Sequence, residues 1–151
     1  MKELIILDED KAYARMRIAE LEKQILELGP EFYEVFNQSS ETWHDNAPFD
    51  ALRDRQSVLD AELQQLKRLL RSSVPIVPKK LKNRVGIGST VTFADDRKYF
   101  IAGDWTPHAG QTKDYITTVS CSTPLAGMLL GKKVGDSVTI GRKSLTIKSL
   151  T

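Results

Sequence analysis

The segment FDALRDRQSVLDAELQQLKRLL, residues 49–70, decides how the first half of this chain folds. Phe49, Leu52, Gln56, Leu59, Leu63, Leu66 and Leu70 follow one another at spacings of 3, 4, 3, 4, 3 and 4, with Gln56 the one polar member. That is a heptad seam, and such a seam is buried only against another helix. The residues around it are strong helix formers. Asn46 is placed to cap the helix, Pro48 is tolerated in a first turn, and Asp50 sits near the positive end of the helix dipole. The helix is expected to run from there to about Ser72.

A partner seam lies upstream. Ala14, Ile18, Leu21, Ile25, Leu28, Phe32 and Val35 are spaced 4, 3, 4, 3, 4 and 3, behind Asp8 and Asp10 as candidate caps. Gly29-Pro30 interrupts this second seam, because proline deletes one backbone hydrogen bond and crowds the carbonyl of Leu26. The heptad phase continues through Phe32 and Val35, which predicts a kinked helix rather than two. Two seams joined by a polar connection of about ten residues pair most simply as an antiparallel hairpin within one chain; a parallel coiled-coil dimer is the structural alternative. In the hairpin, Glu41-Thr42-Trp43-His44-Asp45-Asn46-Ala47-Pro48-Phe49-Asp50 is the far tip, held about 30 to 45 Å from the rest of the protein at 1.5 Å per helical residue.

Beyond residue 73 the pattern changes. Two prolines, Pro75 and Pro78, make residues 74–78 a linker in extended chain. Short runs rich in Val, Ile, Thr, Tyr and Phe then follow at 84–86, 90–93, 98–102, 116–119, 137–140 and 144–150, broken by Gly, Asp and Pro. They predict a small antiparallel sheet. The apolar stretch Pro124-Leu125-Ala126-Gly127-Met128-Leu129-Leu130 suits one or two helical turns on that sheet, and Gly131-Lys132-Lys133-Val134-Gly135-Asp136 reads as the loop that leaves it. The fold class is therefore α+β, with a helical hairpin domain over 1–73 and a β-rich domain over 79–151.

Composition limits the functions open to such a chain. Its 151 residues are 40% apolar and 28% charged, as in soluble globular proteins. Leu4-Ile5-Ile6-Leu7 is too short for the apolar core of a signal peptide, and no stretch has the ~18 apolar residues of a membrane span. With one cysteine, Cys121, the chain has no internal disulfide and no Cys-based metal site, so the expected compartment is a reducing cytoplasm. The net charge of +2 conceals two halves: 10 basic against 15 acidic residues through Pro78, and 12 against 5 from Lys79 onward. A division of this kind suits two surfaces with different partners.

Two motifs carry a resemblance to a known family. Ser122-Thr123-Pro124-Leu125-Ala126-Gly127-Met128-Leu129-Leu130-Gly131-Lys132-Lys133-Val134-Gly135-Asp136 is similar to the S-P-x-A-x-x-L-x-G-K-x-x-G-D signature of the Gre-type bacterial transcript-cleavage factors, read with one residue inserted before the proline. Asn46-Ala47-Pro48-Phe49-Asp50-Ala51-Leu52-Arg53-Asp54-Arg55-Gln56 resembles the N-A-x-[YF]-x-A-x-[KR]-x-x-Q that follows the family's hairpin tip. The resemblance implies that residues 79–151 form an FKBP-like β-rich domain that docks on RNA polymerase core at its secondary channel, the hairpin entering the channel and reaching nucleic acid within the elongation complex. It further implies an accessory factor rather than an enzyme, one that stimulates the polymerase's own transcript cleavage in backtracked complexes; the chain is expected to be a cytoplasmic monomer without membrane contact. In the family, two acids at the tip help hold a Mg²⁺ shared with the polymerase.

Carried onto this chain, those roles fall on Asp45 and Glu41. Asp45 matches the second family acid and is one methylene shorter than the Glu found there. The first falls on Thr42, which has no carboxylate, and Glu41 stands beside it. Pro124, Leu125 and Met128 are the candidate docking residues. Each has a plainer reading: Asp45 as an acid at a helix start, Glu41 as a solvated loop acid, and Leu125 and Met128 as core packing. The functions that compete with cleavage stimulation are a non-cleaving regulator of the secondary channel, a coiled-coil adaptor and a chaperone-like module.

Overall fold

The structure, a computed structural model, describes residues 3–39 and 47–151. Glu41, Thr42 and Asp45 lie outside the described residues. Helix α1 spans Asp8–Ser39 and helix α2 Ala47–Arg71. Two compact units result, one made of Ala12–Arg71, the other of Met1–Lys11 with Ser72–Thr151.

In the helical unit the predicted seams are the buried stripes. Ala14, Leu21 and Leu28 are buried on α1 and Leu52, Leu63 and Leu66 on α2, while Ile18, Ile25, Phe32, Val35, Phe49, Leu59 and Leu70 are half-buried. Contacts from the start of α1 reach the second half of α2, as in Arg17–Glu62 and Glu22–Lys67, and those from its end reach the first half, as in Glu31–Arg55. The helices are therefore antiparallel. Near the connection the rings of Phe32 and Phe49 meet edge to face, 5.6 Å apart. Helix α1 continues through Pro30. Pro30 and Leu26 both lie on the exposed side, Leu26 at 78%, where water is available to the carbonyl that the proline leaves without a partner.

Arg17 grips Glu62 with two parallel bonds, Nε to Oε1 at 3.0 Å and Nη2 to Oε2 at 2.9 Å. The bond from Arg17 holds the Glu62 carboxyl below its ordinary range. Its folded-state pKa thus lies under the unfolded one, so the pair stabilises the hairpin above the usual carboxylate pKa and loses that contribution as pH falls through the folded value. Because Glu62 is 41% exposed, Glu62→Gln is expected to cost only about 0.5 kcal/mol near pH 7. Wild type and variant should converge in strong acid, as followed by helix melting in circular dichroism.

The second unit holds six strands: β1 (Thr90–Phe93), β2 (Lys98–Ala102), β3 (Thr112–Lys113), β4 (Ile116–Ser120), β5 (Ser137–Ile140) and β6 (Lys143–Leu150), in the order β3-β4-β2-β1-β6-β5. Helix α3, Pro124–Leu129, lies between β4 and β5 in sequence. Val91, Phe93, Ile101, Ala126, Leu129, Val138, Leu145 and Ile147 form its core. The sheet is mixed, which corrects the antiparallel expectation: β2 and β4 run parallel, Lys98 opposite Ile116 through Ala102 opposite Ser120. Residues 103–115 supply the crossover that a parallel pair requires, and they place β3 antiparallel on the outer edge of β4. The run at 84–86 is not a strand either. Val85 instead exchanges two bonds with the loop after α3, its N–H to Lys132 O and its carbonyl to Gly131 N, each at 2.8 Å.

The start of the chain is part of this second unit, rather than of the hairpin domain expected over 1–73. Leu4 bridges Ser73 in parallel, its N–H donating to Ser72 O and its carbonyl accepting from Val74 N, both at 2.8 Å. Residues 72–74 are thus tied down on one side of the linker prolines. Ile5 N–H donates to Asp104 Oδ2 at 2.7 Å, and Asp104 N–H returns a bond to Ile5 O at 2.6 Å. Ile6 is completely buried, and Lys11 Nζ donates to Val74 O at 2.6 Å. Residues 4–11 form a clasp on the β-rich unit.

Candidate functional site

The two motifs singled out in the sequence have different fates. Of the hairpin connection, only the start of α2 is described, with Ala47, Pro48 and Asp50 exposed. The carboxyl-terminal motif is described in full.

Its first half builds α3. Thr123 is extended, at φ −75° and ψ 154°, and its Oγ1 accepts from Ala126 N at 3.2 Å while donating to Ser120 O at 2.8 Å. This is an N-cap, and Pro124 occupies the first helical position, where its missing N–H costs nothing. The cap corrects the reading of an inserted residue. Thr123 stands directly before the proline, and its hydroxyl does what a serine hydroxyl at that point would do, so the segment matches the signature without an insertion. Ser120 anchors the turn from behind, with Oγ donating to Gly103 O at 3.0 Å. Thr123→Ala is expected to lower the stability of the β-rich unit by about 1 kcal/mol, measured by urea denaturation, with Thr123→Ser close to wild type.

The second half of the motif is turn chemistry. Gly131 and Gly135 have φ of +84° and +95°, where a side chain is strained. Asp136 Oδ2 accepts from Lys133 N at 2.9 Å and Asp136 N donates to Lys133 O at 3.0 Å, closing the loop on itself. Glycine and aspartate at these positions are thus required by the backbone, and the two lysines between them are left exposed.

The candidate docking residues do not share one face. Pro124 and Met128, four apart on α3, are both exposed, Met128 at 39%. Leu125 is half-buried and packs on the core beside Ala126 and Leu129. Met128 also lines a shallow groove of about 330 Å³ with Leu130, Lys132 and the β5 residues Ser137, Val138 and Thr139. Cys121, just before the α3 cap, packs against the core with its thiol 3.6 Å from Asp104 Oδ1. Among the described residues no group of three or more His, Cys, Asp or Glu is placed to hold a metal ion, and no helix is long and apolar enough to cross a membrane. Sequence reasoning missed Thr123 as a cap and the pairing of Val85 with the α3 exit. A hydroxyl residue directly before proline at a helix start was the available signal for the first; nothing local signals the second.

A hairpin of antiparallel helices joined to a mixed sheet, whose most distinctive motif builds a capped helix and an exposed loop, defines a two-unit α+β protein. Residues 80–150 match the family described as transcription elongation factor, GreA/GreB, carboxyl-terminal. The transcription elongation factor GreA of Macrococcus caseolyticus is 34% identical over 101 residues, covering 64% of this chain and 61% of that protein. GreA of Nautilia profundicola is 36% identical over 102 residues, covering 64% and 60%. The chain thus spans about three fifths of the length of the curated relatives it matches. The crystal structure of GreA factor homolog 1 from Thermus thermophilus is 16% identical and covers 99% of both chains, at a TM-score of 0.46.

Proposed function

We propose that this chain is a cytoplasmic elongation factor that binds bacterial RNA polymerase core at the secondary channel and stimulates transcript cleavage in backtracked complexes. The observation that carries the reading is one chain in which a GreA/GreB domain at 80–150 is joined to an antiparallel hairpin whose connecting residues include Glu41 and Asp45. The protein then acts as an accessory, and the nuclease chemistry belongs to the polymerase.

The donor set fits Mg²⁺, a hard cation that favours carboxylate oxygens and keeps part of its water. Asp45 and Glu41 are the residues that would help hold it, sharing it with the polymerase. Bound there, the ion supplies activation of a water and stabilisation of the leaving oxygen. The chain's own contribution is to carry two carboxylates to that place and to seat the β-rich unit on the polymerase. Exposed Pro124 and Met128 are the docking residues in this reading, with Leu125 supporting α3 from the core side.

Thr42 favours a second reading, in which the hairpin occupies the channel without promoting cleavage, because the first family acid has no carboxylate there. The test is a purified backtracked elongation complex with Mg²⁺, with and without saturating protein. Faster 3′-end cleavage supports stimulation. Binding without added cleavage leaves the occluding regulator, and failure to bind polymerase core removes both.

A further inference from the structure

Residues 72–94 contain four cations, Lys79, Lys80, Lys82 and Arg84, and no acid. Residues 120–135 add Lys132 and Lys133, again with no acid. The fold joins these two stretches. Val85 exchanges backbone bonds with Gly131 and Lys132 at 2.8 Å, and Arg84 Nη1 reaches Gly131 O at 3.5 Å. Lys79 and Lys80 fold back beside Val85, Gly86 and Ile87, with which they line a hollow of about 170 Å³. All six cations are exposed. Asp136, the acid next in sequence, turns its carboxylate to the backbone N–H of Lys133.

We propose that Lys79, Lys80, Lys82, Arg84, Lys132 and Lys133 form a surface that binds the phosphate backbone of a nucleic-acid duplex without reading its bases. Six like charges on two acid-free stretches that the fold joins at Val85 and Gly131–Lys132 cost the free protein repulsion, and a polyanion relieves it. Five of the six are lysines, which are flexible, hydrated point charges. They suit a line of phosphates more than the fixed carboxylates of an acidic protein, where the arginine fork is favoured. Phe93, the one aromatic residue within 72–94, is buried, so the surface offers no platform for stacking unpaired bases. The six-residue stretch 79–84 spans at most about 20 Å when extended, and a duplex presents one phosphate charge per ~1.7 Å of axis. Six contacts are therefore available along a single docking.

The experiment is fluorescence anisotropy of a labelled 20-base-pair duplex of arbitrary sequence, titrated with the full chain at 50, 100 and 200 mM KCl without polymerase. The expected dissociation constant is micromolar at low salt, with log K falling against log salt at a slope of about −5 for six contacts. Lys79→Gln/Lys80→Gln/Lys82→Gln should flatten the slope by about 3, and Lys132→Gln/Lys133→Gln by about 2. Arg142→Gln/Lys143→Gln, at the β5–β6 turn, should leave both slope and affinity within twofold. Unchanged melting temperatures in all three variants establish that folding is not what is measured. The proposal is overturned by absent duplex binding at 50 mM KCl, by a slope that the lysine variants do not change, by tighter binding to an unpaired strand of the same length, or by salt-dependent binding to polyglutamate in place of the duplex. Because no polymerase is present, failure here leaves the polymerase reading standing, and failure of that reading leaves this result unaffected.

Discussion

Gly103→Ala is expected to lower the melting temperature of the β-rich unit by about 10 °C or more, the consequence of about 2 to 3 kcal/mol in a unit of roughly 90 residues. Gly103 follows β2 and is buried, and a Cβ there would be driven into the carbonyl of Ile5, with the Ile6 backbone just behind. The obstacle is backbone, so no side-chain rotation relieves it. Two responses are open to the protein, and both are costly. If β2 shifts, its parallel register with β4 is disturbed where Ala102 faces Ser120. If residues 4–7 lift away instead, Ile6 is uncovered, the bonds between Ile5 and Asp104 are lost, and Leu4 leaves Ser72 and Val74.

A second substitution separates these responses. Asp104→Ala removes the acceptor of Ile5 N–H and is expected to cost about 1 to 3 kcal/mol. Combined with Gly103→Ala it should add little if the clasp has already lifted, since the two changes then break one shared contact. Thermal melting of the two single variants and the double variant checks both points. A Gly103→Ala protein that melts within 2 °C of wild type would show that the clasp contributes no stability to the β-rich unit.

The clasp also marks where reading the sequence stops. The heptad seams specified α1 and α2 almost residue by residue, because burial of a helical stripe is a periodic property visible in one segment alone. Five of the six short runs became strands for the same reason: along β1, Val91 and Phe93 are buried and Thr90 and Thr92 are less so. What failed was pairing. Nothing in residues 98–102 or 116–120 announces that they run parallel, since that depends on a crossover through residues 103–115 that looks like an ordinary loop. Leu4-Ile5-Ile6-Leu7 was equally silent, because a short apolar segment does not say which surface buries it. At the candidate site, the G-K-x-x-G-D loop was legible through backbone demands at Gly131 and Gly135. Leu125 and Met128 were told apart only by the direction each side chain takes from α3.

Asp45→Asn is expected to reduce stimulated transcript cleavage by at least about 10-fold at saturating protein, the scale of losing a group that supports a metal site, while the dissociation constant for polymerase changes by less than about fivefold, as befits an exposed acid. The amide keeps the size of the carboxylate and removes the charge, so a loss cannot be assigned to shape. Met128→Glu should act in the opposite sense, weakening binding and leaving the cleavage rate at saturation unchanged, because it alters an exposed face of α3 and no tip residue. Thr42→Asp is the informative third variant. If the position matching the first family acid is the deficient one, a carboxylate placed there raises cleavage above wild type; if Glu41 already fills that role, Thr42→Asp adds little and Glu41→Gln is as damaging as Asp45→Asn. Cleavage in wild type that neither Asp45→Asn nor Glu41→Gln reduces would remove the tip acids from the mechanism, leaving the β-rich unit to act through docking alone.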